Sequence, residues 1–183
     1  MISSKEEYKK YLNEDARALG KTYSRPHLVG DEIWKFQRLM RLCEYSMSWH
    51  GLGRIVSKLI RLRYHRYSIK LNYSIPIGVF GPGLALVHLG PVVVSQHAKV
   101  GKNCRLQTMT VIGATNGEKS APTIGDNVYI GVGAKIIGDI SIADDVAIGA
   151  GAVVVKTISE SAITVGGIPA KRISNNSSRM HLR

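Results

Sequence analysis

TIGDNVYIGVGAKIIGDISIADDVAIGAGAVVV (residues 123–155) carries an aliphatic residue at every sixth position: Ile124, Ile130, Ile136, Ile142, Ile148 and Val154. The same spacing runs upstream through Val94, Val100, Leu106 and Ile112. Twelve residues separate Ile112 from Ile124, so the phase survives an intervening segment. The residue after the anchor is small at Gly101, Gly113, Gly125, Gly131, Ala143 and Gly149. An α-helix has no period of six, and glycine recurs too often here for uninterrupted strands. A short strand followed by a tight turn, repeated, fits both features. Such units stack into a parallel β-helix, with the anchors inward as ladders and small residues at the corners.

The chain has 183 residues and a formal charge of +12. That charge flanks the repeat rather than lying in it. Residues 1–30 carry six basic and four acidic side chains, residues 31–70 nine and three, residues 71–170 six and six, and residues 171–183 four and none. An apolar content of 44% excludes a disordered chain. Two cysteines exclude a disulfide scaffold. No apolar run is long enough to span a membrane, and the opening MISSKEEYKKYLNED is too charged for a signal peptide. A cytoplasmic protein is expected. No nucleic-acid-binding motif accompanies the positive charge, so a nucleic-acid partner is not expected.

The hexads resemble those of the hexapeptide-repeat acyltransferases. The resemblance is sharpest to serine acetyltransferases, in GPGLALVHLGPVVV (81–94), VIGATNGEKSAPTIGDNVYIG (111–131), AIGAGAVVVK (147–156) and GGIPAKRI (166–173), and covers roughly residues 75–173. Within that group the chain looks most like shorter enzymes of bacterial surface-polysaccharide gene clusters. The resemblance implies a mainly β fold, a left-handed parallel β-helix preceded by an α-helical segment. It also implies a homotrimer with active sites between neighbouring prisms, and acetyl-CoA as co-substrate.

Transfer of acetyl from a thioester to a hydroxyl needs a base, and histidine titrates in the right range. Of His27, His50, His65, His88, His97 and His181, only His88 in LVHLGP falls where the family keeps its catalytic histidine. The glycines and prolines around it predict a constrained turn. His97 is the second candidate, on a hexad position that normally faces solvent. The histidines lack paired ligand spacing, so no metal is expected. A pantetheine arm along a coil edge needs backbone bared by small residues, which Gly131, Gly133, Ala134, Gly149, Gly151 and Ala152 supply. In the family the segment matching GGIPAKR packs beside the adenine, which would bring Lys171 and Arg172 to the nucleotide phosphates. Asp126 and Asn127 read as turn residues.

Two positions depart from the serine acetyltransferase pattern. Val87 stands where an aspartate usually precedes the histidine. Ala121 stands where a second histidine precedes a proline, with Ser120 at the neighbouring arginine position. Losing these partners removes most ways to grip a zwitterion, so a sugar hydroxyl in surface-polysaccharide synthesis is the expected acceptor. Serine is the alternative, and a non-catalytic β-helix scaffold is the competing class.

The expected divisions are a basic helical segment over residues 1–72, the β-helix over 73–168 with an inserted loop at 113–123, and a basic tail over 169–183. Helical spacing predicts two helices within residues 31–67 and a third over residues 4–19. Basic amphipathic helices with tryptophan favour anionic lipid, so peripheral membrane contact through residues 31–70 is a further expectation. Cys43 and Cys104 read as small buried residues.

Overall fold

The structure is a computed structural model and describes residues 2–23, 25–115 and 119–182. Three helices, α1 (Lys5–Ala18), α2 (Glu32–Ser46) and α3 (Gly53–Leu71), precede a left-handed parallel β-helix. Its strands form three faces. Face one stacks Tyr73–Ser74, Val92–Val94, Thr110–Gly113, Lys135–Ile137 and Val153–Val154. Face two stacks Lys99–Val100, Thr123–Ile124 and Ser141–Ile142. Face three stacks Ala85–Leu86, Arg105–Leu106, Tyr129–Ile130, Ala147–Ile148 and Thr164–Gly166, and ends on the antiparallel strand Lys171–Ser174.

All ten aliphatic anchors are buried. Ile130 pairs with Ile148, and Ile136 with Val154, eighteen residues on, so three hexads make one coil. The coil holding the inserted loop takes six residues more, as the pairing of Val100 with Ile124 shows. The prism also begins earlier than the six-residue spacing reveals. Phe80 bridges to Val100, Leu86 pairs with Leu106, and Ile75 follows the strand paired with Val92–Val93. Steps of five, six and eight residues (Ile75, Phe80, Leu86, Val94) hide this first coil from a period search.

The first coil has no coil above it, and an open strand end leaves backbone groups without partners. Buried polar side chains from α1 and α2 supply them. Gln37 donates to Leu84 O at 2.7 Å and accepts from Leu86 N at 3.0 Å. Arg41 donates to the carbonyls of Phe80 (2.9 Å) and Gly81 (2.7 Å). Asp15 accepts from Gly83 N and Leu84 N, each at 2.9 Å. Glu44 accepts from Gly78 N at 2.9 Å. Arg41 also pairs with Asp15 at 2.8 Å and Glu44 at 3.1 Å, all three buried. Burial pushes the Asp15 carboxyl up, against the pull of Arg41 and the two amides. Burial also opposes the Arg41 charge, but the two carboxylates outweigh it and hold the guanidinium above its ordinary value.

α1 starts on Ser4, whose hydroxyl accepts from Glu7 N at 3.1 Å, while Glu7 reaches back to Ser3 N at 2.8 Å, a close variant of a capping box. α2 is buried on most sides: Trp34, Phe36, Met40 and Cys43 pack inward alongside the polar cap. Burial raises the thiol of Cys43 to about 11 and that of Cys104 to about 12, so both stay protonated. α3 keeps one row inward and the rest exposed.

Residues 169–183, expected as a tail, fold back onto the prism. After a turn with a cis Ile168–Pro169 bond, Lys171–Ser174 pairs with Thr164–Gly166. The turn Ser178–His181 then docks: Ser178 N donates to Asp145 O, Arg179 pairs with Asp145 at 3.0 Å, and His181 stacks on Tyr129. The positive charge of this segment is thus partly engaged by the prism.

Arg41→Ala would leave two buried carboxylates and two carbonyls without their cation. Breaking a buried charge set in this way costs about 3–5 kcal/mol. Urea unfolding should show that loss, whereas Arg63→Ala on the exposed side of α3 should change stability by about 0.5 kcal/mol or less.

Candidate functional site

Three edges join the faces, and their chemistry differs. The edge between faces two and three is tight and closed by side chains. A Cβ on Gly81 would lie 2.8 Å from Gly101 C, and one on Gly101 2.7 Å from Gly125 C. Asn103, Asn127 and Asp145 stack there at φ 55–61°. Asn103 Nδ2 donates to Asn127 Oδ1 at 2.8 Å, and Asn127 Nδ2 to Asp145 Oδ1 at 3.0 Å. Asp126 and Asp144 accept from Lys102 N and Asp126 N on the same edge. Asp126 and Asn127 are therefore turn residues in a polar ladder.

The edge between faces three and one is bare by contrast. Backbone bonds from Val87 N to Leu106 O, Gln107 N to Ile130 O, Gly131 N to Ile148 O and Gly149 N to Val165 O stack Val87, Gln107, Gly131, Gly149 and Gly166 in one column. His88 follows Val87 at the head of that column, with its side chain exposed. Lys171 pairs with Gly166 at the foot. At about 4.8 Å per rung, His88 stands about 10 Å from the Gly131 turn and about 19 Å from the foot. The predicted histidine, the predicted glycines and Lys171 thus share one edge.

The six small residues proposed for the cofactor do not present one continuous bare surface, and here the sequence expectation is corrected. Ala134 and Ala152 point inward and are fully buried, filling the corner of the core. Their amide groups close the turns Gly131–Ala134 and Gly149–Ala152 by donating to Gly131 O and Gly149 O at 3.2 Å. Gly131 is glycine because a Cβ would lie 2.7 Å from Ala150 N. Gly133 (φ 71°) and Gly151 (φ 67°) take the positive φ of the third turn position; a Cβ on Gly133 would just touch Gly151 at 4.0 Å, and one on Gly151 would meet open space. Gly133, Gly149 and Gly151 are the three of the six that are not buried. Arg172 is turned away from the edge, paired with Glu160 at 2.6 Å and Asn175 at 3.0 Å.

The His88 turn is held from below and behind. Its carbonyl accepts from Tyr73 Oη at 2.8 Å. Tyr73 is buried, which raises its hydroxyl to about 12 and keeps the proton available for that bond. The ring of Tyr73 packs on Phe36 of α2 with centroids 4.9 Å apart. Gly90 takes φ 131°, and a Cβ there would meet Thr108 Oγ1 at 2.4 Å. That buried hydroxyl has no hydrogen-bond partner among the described residues. Met109 holds φ 61° on the edge, level with Gly133. Sequence reasoning missed Tyr73, Thr108 and Met109, because each belongs to the site only through the stacking of coils.

His97 is exposed and contacts only Gln96 and Ser95 among the described residues. His50, His65 and His27 lie exposed on the helical segment. Among the described residues no group of three or more His, Cys, Asp or Glu is placed to hold a metal ion. The inserted loop leaves the edge between faces one and two, away from His88 within the chain, and residues 116–118 of it lie outside the described residues. A cleft of about 700 Å³ lies between α3 and the first coil, with Arg61, His65 and Ile69 on one wall and Tyr73 and Pro91 on the other.

Repeat, prism and histidine-headed edge define a class. Residues 121–156 match the family described as bacterial transferase hexapeptide (six repeats). The particular relatives are serine acetyltransferases. The chain is 39% identical over 103 residues to serine acetyltransferase of Mycobacterium tuberculosis, an alignment covering 55% of this chain and 44% of that protein. The crystal structure of serine acetyltransferase from Brucella abortus is 26% identical with a TM-score of 0.77, covering 95% of this chain and 72% of that one. A second structure of the Brucella protein is a complex with coenzyme A. Serine acetyltransferase of Neisseria gonorrhoeae, solved with serine, is 27% identical with a TM-score of 0.72, covering 93% of this chain and 71% of that one. The chain spans about half the length of the first curated relatives it matches (44% and 50%). These relatives support the serine acetyltransferase likeness; they do not show the expected link to polysaccharide gene clusters.

Gly131→Ala and Gly151→Ala separate packing from exposure on this edge. The first drives a methyl into the next rung and should cost about 1–3 kcal/mol. The second meets only the strain of a positive φ, about 1 kcal/mol, and should fold normally by thermal unfolding.

Proposed function

We propose that the protein is an acetyltransferase that moves acetyl from acetyl-CoA to a hydroxyl, with His88 as general base. The observation that carries this reading is the alignment of an exposed His88, two glycine turns (131–134 and 149–152) and Lys171 on an edge that has no side-chain ladder among the described residues. The pantetheine arm would lie over Gly133, Gly149 and Gly151, with the phosphates toward Lys171 and the thioester toward His88. Arg172 would join the phosphates only by leaving Glu160. His88 takes the proton of the acceptor hydroxyl, and the oxygen attacks the thioester carbonyl. The tetrahedral intermediate collapses by breaking the carbon–sulfur bond. The protonated His88 returns its proton to the departing thiolate.

Serine is the acceptor supported by the named relatives, and it is the leading reading. A sugar hydroxyl is the second reading, and Val87 and Ala121 favour it. Val87 is half-buried beside His88, and Ala121 is buried. Neither offers charge to a zwitterion, and an uncharged acceptor needs none. A homotrimer would suit this geometry: the strands flanking the inserted segment and the His88 turn lie at opposite borders of face one, so the two borders of neighbouring prisms would meet. The enzyme would act in the cytoplasm.

Thiol release from acetyl-CoA, measured across serine, simple sugars and isolated glycan repeat units, tests the reading. Turnover with serine far above any sugar supports the leading acceptor, and turnover with sugars alone the second. His88→Ala should lower kcat by about 10²–10⁴-fold with the trimer intact. Full activity in that variant would overturn His88 as the base, and no turnover with any hydroxyl would leave a scaffold as the better account. Tyr73→Phe removes one hydrogen bond worth about 1 kcal/mol, and should lower kcat up to about tenfold while KM for acetyl-CoA holds.

A further inference from the structure

Helix α3 is built inside out. Its buried row is Ser57, Tyr64, Ser68 and Leu71, two of them serines. Its outward row is Ile55, Leu59, Leu62 and Ile69, exposed by 60%, 62%, 47% and 64%. Ile55 and Tyr64 are nine residues apart, two and a half turns, so the two rows lie on opposite sides of the helix. A helix exposed only to water carries the reverse pattern. Basic residues border the apolar row: Arg54, Lys58 and Arg61 on one side, Arg63 and Lys70 on the other, with Arg66 in line with it. Residues 53–71 contain no aspartate or glutamate.

We propose that this face docks on an anionic lipid bilayer, with α3 lying in the interface plane. The apolar row would enter the boundary between headgroups and acyl chains, and the basic rows would meet the headgroup charge. Charge complementarity selects this occupant. A second copy docking by twofold symmetry would set this all-basic face against itself, with the like charges opposed. The structure also narrows the expectation for residues 31–70. α2 spends its apolar residues and its tryptophan on the core, so α3 alone offers the face. No helix among the described residues is long and apolar enough to cross a membrane, so the contact is peripheral. The cleft walled by Arg61, His65 and Ile69 of α3 and by Pro91 of the first coil opens beside this face, which brings the His88 turn close to the headgroup layer. The proposal stands independently of which hydroxyl accepts the acetyl group.

Sedimentation of the full chain with phosphatidylcholine vesicles, with and without phosphatidylglycerol, is the test. Binding should require the anionic lipid and weaken as salt rises. Combined Arg63→Ser, Arg66→Ser and Lys70→Ser should weaken partitioning about a hundredfold, since each basic side chain near an anionic surface contributes about fivefold. Combined Leu59→Ser and Leu62→Ser should also release the protein from vesicles. Both variants sit on exposed positions and should retain the parent's size by light scattering and its rate of thiol release. Failure of the parent chain to sediment with anionic vesicles would overturn the proposal. So would a Leu59→Ser, Leu62→Ser variant that splits the parent assembly into smaller units, because the face would then belong to a second copy.

Discussion

A single buried guanidinium closes the top of the prism. Arg41 sits between two carboxylates and donates to two carbonyls of the first coil. A β-helix has two ends, and each end is a ring of backbone groups with nothing above to bond. Gln37, Asp15 and Glu44 supply the remaining partners, so four polar side chains of α1 and α2 replace a missing coil. The other end uses a backbone solution, the antiparallel strand Lys171–Ser174. His88 belongs to that first coil, four residues after Leu84, which Gln37 and Asp15 hold directly. The helical segment is therefore part of what fixes the His88 turn, through the polar cap, the Phe36–Tyr73 ring contact and the Tyr73 hydrogen bond to the His88 carbonyl.

Below the cap, steric exclusion between rungs writes the repeat. Where coils touch most closely, only glycine fits after the anchor, as at Gly81, Gly101 and Gly125. That edge then zips its own polar groups with asparagine and aspartate. On the His88 edge the column passes from Val87 and Gln107 to Gly131, Gly149 and Gly166, and no such ladder forms among the described residues. Close stacking and open backbone fall on different glycines of the same turns: Gly131 is buried against the next rung, while Gly133 and Gly151 have no close neighbour where a side chain would be.

The sequence was legible where the physics is periodic. Ten anchors at six-residue spacing predict the prism because inward packing repeats identically from coil to coil. The constrained turn that carries His88 was legible through the glycines and prolines around it, and the small residues of the edge through their type. The first coil was not, because its steps of five, six and eight residues break the period around the His88 turn. The cap was not, because Asp15, Gln37, Arg41 and Glu44 read as ordinary polar positions on helices until a coil end is set beneath them. Ala134 and Ala152 looked equivalent to their glycine neighbours by composition, and only the inward direction of Cβ separates them. The outward row of α3 was readable as apolar, but its failure to pack emerges only when the opposite row is seen filling the interior.

The location of bound coenzyme A tests the account most directly. A crystal structure of the complex should show the pantetheine arm along Gly133, Gly149 and Gly151, its phosphates toward Lys171 and its sulfur within reach of the His88 ring. Coenzyme A on the asparagine-lined edge, or on a flat face away from His88, would contradict the assignment of the bare edge as the site of acetyl transfer.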